Sequence, residues 1–367
     1  MTSLDLHVDT LMAIVHEGRR IDQRDDTAAP GLPPRELDVP RMVEGGLDAA
    51  VFSIFVTPYW RGSSAALRAH ELIDRLDAEL ARPPLAAVIR RVRTTGDLEG
   101  AVRGGRRGAL IGIEGGHAIA DSLARLAEFA SRGVRYMTLT WANANGWADS
   151  SGSPPVHGGL TPFGRQVVRE MERLGMLVDV SHVADTTFWD AIDTVSAPLI
   201  ASHSGCRALH DHARNLTDDQ LRAVAATGGV VGIPFASGFL GPAAPAPAWT
   251  APWRTDVSFP DPAAAELADR RSRPPVRPEP APLKSLVDHV LHALDVAGPE
   301  HVAIGSDYDG MIVPPAGMEH VGRLPLLRAA LSQRGVPDDV LAAVWGSNAL
   351  RVLRGADHRP AQGSTGS

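Results

Sequence analysis

The sequence predicts a single TIM-like (β/α)8 barrel, and three observations predict it. Eight short apolar runs recur along 367 residues, amphipathic helical patterns separate most of them, and His, Asp or Glu ends or directly follows five of the runs. Strand patterns alternating with helical ones imply βαβ units and a parallel sheet. Eight such units close into a barrel, whose chemistry gathers at the C-terminal ends of its strands. An open doubly wound sheet fits less well, because no G-x-G-x-x-G follows an early strand.

In chain order the predicted strands are Leu4–Asp9, Ala49–Phe55, Ala109–Glu114, Tyr136–Trp141, Leu177–Ser181, Leu199–His203, Val230–Pro234 and Val302–Asp307. Ala65–Leu80, Leu123–Ser131, Gly164–Leu174 and Asp218–Ala226 carry the helical period between them. Gly241–Pro282 breaks the rhythm with a density of Pro and Ala after the seventh run. A long loop there is either a lid at the catalytic face or a solvated insertion. Residues 1–355 are read as one domain, and the polar, small-residue tail 356–367 as disordered.

Composition narrows the function classes. Apolar residues make up 44% and charged residues 22%, ordinary for a globular protein. A net charge of −7 argues against non-specific nucleic-acid binding. Cys206 is the only cysteine, so no intrachain disulfide forms, which suits a reducing compartment. Residues 1–9 hold no basic region or apolar run of a secretory signal, and no run of about 18 apolar residues occurs. The expectation is a soluble, cytoplasmic protein with no membrane partner.

The strand ends carry the chemistry. His7 and Asp9 close the first run, and period two puts them on one face. Glu114 closes the third, followed by Gly115 and Gly116; an unpaired carboxylate there is costly to bury. His182 follows the fifth run, His203 ends the sixth and Asp307 the eighth. Taken singly, each is as readily a satisfied core polar group. Together they place ionisable groups at one end of five strands.

His7, Asp9, Glu114, His182 and His203 are three imidazoles and two carboxylates, a donor set for Zn²⁺ or another divalent transition metal such as Mn²⁺, Co²⁺ or Fe²⁺. Five ligands exceed one tetrahedral zinc and suit two ions if a carboxylate bridges. Lys284 is the only lysine and opens the helix before the last strand, so a carboxylated lysine cannot bridge on a strand; Glu114 is the best-placed bridge. Asp307 is the natural acid/base, able to pass a proton to a leaving amine.

These residues resemble the membrane (renal) dipeptidase family, peptidase family M19, in a soluble bacterial-type form. The matching stretches are Asp5–Asp9, Ile111–His117, Val134–Thr140, Asp179–His182, Ala201–Ser204, Ala213–Leu216 and Gly305–Gly310, in order along nearly the whole chain. The resemblance implies two zinc ions, with His7 and Asp9 on one, His182 and His203 on the other, and Glu114 between them. It implies that Glu114 and Asp307 are catalytic and that Arg214 clamps the terminal carboxylate of a dipeptide. Guanidinium chemistry suits that clamp, although a surface arginine at a helix start is the bland alternative. The family further implies a homodimer and tolerance of a D-residue at the C-terminal position.

One departure touches the substrate. Where mammalian members have a histidine after Thr-Leu-Thr, this chain has Trp141, followed by Ala142 and Asn143. Asn143 is a neutral donor for a developing oxyanion, and Trp141 either binds substrate or packs the pocket wall. That departure leaves room for a related amidohydrolase or lactonase-type barrel enzyme acting on another substrate. A non-enzymatic barrel fits less well, because the ligand set is complete. Cys206 is read as a small buried hydrophobe.

Overall fold

The computed structural model describes residues 2–24, 35–241, 260–272 and 279–358. Among the described residues, nine parallel strands form one sheet: β1 (Leu4–Val8), β2 (Ala49–Phe55), β3 (Ile89–Arg91), β4 (Arg107–Glu114), β5 (Val134–Thr138), β6 (Leu177–Asp179), β7 (Ile200–Ala201), β8 (Val230–Ile233) and β9 (Val302–Ile304). Their order is β2-β1-β9-β8-β7-β6-β5-β4-β3, and β2 also pairs with β4 from Ala49↔Gly108 to Phe55↔Glu114. That last pairing closes eight strands into the predicted barrel. β3, absent from the sequence reading, pairs only with the first three residues of β4 and stays outside the ring.

Each barrel strand gives at least one side chain to a single buried cluster: Leu4 and Leu6, Ala49 and Val51, Leu110, Tyr136, Leu177, Ile200, Val230 and Ala303. The helix Asn348–Asp357 adds Ala349, Leu350, Val352 and Leu353 to that cluster. The alternate residues, such as Ala50, Phe52, Ile111 and Ile113, belong to the larger core shared with the surrounding helices. This two-sided burial is why the strands read as unbroken apolar runs.

Several strands end earlier than predicted. β6 stops at Asp179, β7 at Ala201 and β9 at Ile304, so His182, His203 and Asp307 stand in the turns just beyond. The helices Leu123–Ser131 and Asp218–Ala226 match their predicted bounds. A Thr217–Gln220 capping box sets the start of the second.

Lys284 lies in the first turn of the helix Leu283–Ala297, 74% exposed and paired with Asp288. Of the Gly241–Pro282 insertion, residues 242–259 and 273–278 lie outside the described residues. Within it, the helix Pro262–Ser272 buries Glu266 against Trp60 Nε1 (3.2 Å), His16 Nε2 (3.4 Å) and Arg68 Nη2 (3.4 Å). The expected tail needs one correction. Ala356 and Asp357 are helical, and Asp357 accepts from Thr95 N (2.8 Å) and pairs with Arg135 (2.6 Å). Residues 359–367 lie outside the described residues.

Candidate metal centre

Glu114 ends β4 with 2% of its surface exposed, and its two oxygens face different partners. Oε1 lies 3.0 Å from His182 Nε2 and 3.6 Å from His203 Nε2. Oε2 lies 3.6 Å from His7 Nε2 and accepts from Ser53 Oγ at 3.2 Å. Asp9 and Asp307 stand on the His7 side, at 3.8 Å and 3.9 Å from His7 Nε2. The Nε2 atoms of His182 and His203 are 2.9 Å apart.

Local backbone explains this convergence. The pairing of β1 with β2 slips register between Asp5 and Val8, and His7 lies in that irregularity. Asp5 Oδ1 accepts from both His7 N (3.1 Å) and Ser306 N (2.9 Å), tying the ends of β1 and β9 together. His182 (φ 70°) and Asp307 (φ 65°) occupy the left-handed region. Such strain persists only where the surroundings over-determine it. The His182 carbonyl accepts from Ser151 N (2.8 Å), Ser151 Oγ (3.0 Å) and Ser150 Oγ (3.2 Å). Asp307 N donates to His7 O at 3.0 Å. Asp309 turns away from the centre and accepts from Thr10 Oγ1 (2.7 Å) and Glu36 N (2.8 Å).

Burial and crowded charge perturb every group. Burial pushes Asp307 well above the carboxylate range, with Asp9 and Glu114 adding repulsion. Burial and then the Glu114 charge raise Asp9 to about 7. Burial opposes ionisation of Glu114, but the His7 charge and bonds from His182 and His7 outweigh it, so Glu114 is lowered. Burial lowers His7, yet the carboxylates around it carry the net value up to about 10. Burial, then the Arg214 charge, lowers His182 to about 4. Burial, then the His7 charge, takes His203 well below its ordinary value.

These residues fit a cation. His7 Nε2 and Asp9 Oδ1 are buried with no hydrogen-bond partner, an expensive state for polar atoms. Ligand atoms held about 2.0–2.2 Å from one ion lie roughly 3–3.6 Å apart, the range seen around Glu114. Among the described residues, His7, Glu114 and His203, and His7, Asp9 and Asp307, each bring three donor atoms within 4.8 Å of one another. Nitrogen and oxygen donors match divalent transition metals.

The predicted substrate residues are placed as follows. Arg214 is buried; Nη2 donates to His203 O at 3.2 Å, the guanidinium lies 5.3 Å from the Phe239 ring, and Nε has no partner. Trp141 packs at 4.8 Å on Phe55 and lies 6.3 Å from the His182 ring, in an apolar cluster with Met12. Asn143 Nδ2 donates to Ala144 O at 3.1 Å, and Oδ1 has no partner. Cys206 is buried and donates to His289 O; burial pushes its thiol up to about 12, as an inert core residue. Sequence reasoning missed Tyr136, Asp179 and Ser202 behind the histidines. Their signal was present, since all three fall within or beside the quoted stretches, but nothing local told them from core polar residues.

A parallel barrel with a buried nitrogen–oxygen donor set at its C-terminal rim has the architecture of a barrel able to hold metal ions. The chain belongs to the membrane dipeptidase family (peptidase family M19), whose pattern matches residues 1–364. It is 37% identical over 253 residues to the dipeptidase tcpJ of Claviceps purpurea (strain 20.1), a match covering 69% of this chain and 52% of that protein. It is 36% identical over 285 residues to the dipeptidase verJ of Clonostachys rogersoniana, covering 77% and 62%. The matched region thus spans between half and two thirds of these curated relatives.

Among solved structures, the probable dipeptidase PvdM of Pseudomonas aeruginosa superposes with TM-score 0.81 at 25% identity, covering 98% of this chain and 96% of that one. A Rhodobacter sphaeroides metallo peptidase, solved with a phosphinate mimic of the dipeptide L-Ala-D-Ala, superposes with TM-score 0.77 at 25% identity, covering 96% and 98%.

Proposed function

We propose that this protein is a dipeptidase that hydrolyses the single peptide bond of a dipeptide at two divalent metal ions, zinc in the first instance. The observation that carries the reading is the division of Glu114: one oxygen faces His182 and His203, the other faces His7. His7 and Asp9 would hold one ion and His182 and His203 the other, with Glu114 shared. When bound, the ions supply Lewis acidity that acidifies water and polarises a carbonyl.

The chain's own residues do the rest. Asp307, whose carboxylate stands 3.9 Å from His7 Nε2 beside the ligand set, passes a proton to the leaving nitrogen. Arg214 receives the substrate's terminal carboxylate, for which a buried guanidinium with an unpartnered Nε is suited. Phe55, Trp141 and Met12 form the apolar wall that excludes water beside the ligand set. Asn143 serves as the neutral donor near the scissile carbonyl.

A D-residue at the C-terminal position is part of the proposal, supported by the ligand of the Rhodobacter relative. A homodimer in the cytoplasm completes it. Among the described residues, no helix is long and apolar enough to cross a membrane.

The test is elemental analysis of metal per chain on the sample used for L-Xaa-L-Xaa and L-Xaa-D-Xaa dipeptide assays, with Glu114→Ala and Asp307→Asn in parallel. Two metal ions with turnover, abolished in both variants, are expected. Near wild-type rates in both variants overturn the reading.

A further inference from the structure

We infer that Tyr136 and the Asp179–Ser202 pair are positioning residues of the centre, which fix the proton of His7 and of His203 on Nδ1 and reserve both Nε2 atoms for metal. The inference rests on the proposed metal centre. It follows from counting hydrogens along two short chains.

His7 Nδ1 lies 2.8 Å from Tyr136 Oη, which lies 2.9 Å from Leu6 O. A carbonyl only accepts, and a phenol has one hydrogen to give. That hydrogen goes to Leu6 O, so Tyr136 Oη must accept from His7 Nδ1–H. The same count holds across the barrel. His203 Nδ1 lies 2.8 Å from Ser202 Oγ, which lies 2.6 Å from Asp179 Oδ2. Asp179 also accepts from Thr138 Oγ1 (2.6 Å), Ser202 N (2.8 Å) and Ser181 N (3.1 Å), the bond pattern of an acceptor-only carboxylate. The Ser202 hydrogen therefore goes to Asp179, and Ser202 Oγ accepts from His203 Nδ1–H.

Each chain runs from imidazole N–H through one hydroxyl to a group that cannot donate. An imidazole whose Nδ1 keeps its hydrogen binds metal through Nε2, and the hydrogen bond at Nδ1 orients the ring. β4 seats the first chain as well as Glu114. A Cβ on Gly112 would stand 2.3 Å from Tyr136 Cζ, so only glycine there lets the phenol ring cross the strand. His182 is built otherwise. Its buried Nδ1 has no partner, and its position comes from the three donors on its backbone carbonyl. It is an internal control.

The experiment compares Tyr136→Phe, Ser202→Ala and Ser202→Thr with wild type, all as full chains. Histidine-selective ¹⁵N NMR reads which nitrogen carries hydrogen, and chelator competition reads zinc affinity. Wild type is expected to show Nδ1–H on His7 and His203. Tyr136→Phe should disturb the His7 signal most and Ser202→Ala the His203 signal most, with Ser202→Thr restoring it. Zinc affinity should fall about 10–100-fold in the first two variants. A hydrogen on Nε2 of His203 in metal-free wild type, or zinc affinity changed less than about threefold in both variants, overturns the inference. Wild type that binds no zinc while showing Nδ1–H on both rings would instead overturn the proposed metal centre and leave the tautomers standing.

Discussion

The Nε2 atoms of His182 and His203 stand 2.9 Å apart, both turned toward one oxygen of Glu114. Burial keeps both rings neutral, so neither can answer the other as a cation. Two neutral imidazoles and a carboxylate oxygen in such proximity are a donor cluster awaiting positive charge. Glu114→Gln keeps the shape and removes the carboxylate's negative charge. Zinc retention against a chelator should fall beyond the about 100-fold typical of outer-sphere partners, with activity lost in step. Unchanged metal content measured by elemental analysis would contradict it.

Metal binding should be steeply favoured by rising pH. Without a cation, His7 titrates at about 10 and Asp9 at about 7, above their ordinary values of 6.5 and 3.8. Groups raised on folding stabilise the folded chain only while protonated. The Asp9 contribution is complete below pH 3.8 and lost as pH rises through 7; that of His7 is complete below 6.5 and lost as pH rises through 10. A cation must displace both protons. The gap in Tm between zinc-loaded and chelator-stripped protein should widen between about pH 6 and about pH 9. A gap that narrows over that range would refute the assignment.

Asp307→Asn should lower kcat by about 10²–10⁴-fold with metal content kept, because an amide cannot pass a proton. Stopped assays beside elemental analysis on one sample separate this from metal loss. A fall in kcat that follows the metal content would make Asp307 a ligand and not an acid.

Arg214→Ala should raise KM about 10–100-fold, the value of a hydrogen bond to a charged group. The loss should disappear for dipeptides whose C-terminus is an amide. Equal losses on acid and amide substrates would show that Arg214 only supports the His203 carbonyl it already touches.

Gly112→Ala tests the seat of Tyr136. Its methyl would overlap the phenol ring, and overpacking of this kind costs about 1–3 kcal/mol. Urea denaturation should report that loss. A neutral effect would mean that the ring has room to move.

The sequence by itself determined the barrel, because strands buried on both faces must be apolar throughout and therefore announce themselves. It also pointed to the acidic and imidazole groups that the fold brings together around Glu114, since ionisable residues at the ends of apolar runs are rare enough to stand out. Arg214, Trp141 and Asn143 were legible only through a family resemblance, because an arginine or an asparagine in a loop is common. Tertiary structure alone decided the rest. β3 has three residues and one edge partner, too little for a period. The left-handed turns at His182 and Asp307 depend on contacts from other segments, and no residue at those positions signals them. Tyr136 is 129 residues from His7, and Asp179 is 23 from Ser202. Only the register of a closed parallel sheet brings such pairs within hydrogen-bond reach, and so only the fold could decide which nitrogen of each histidine is free.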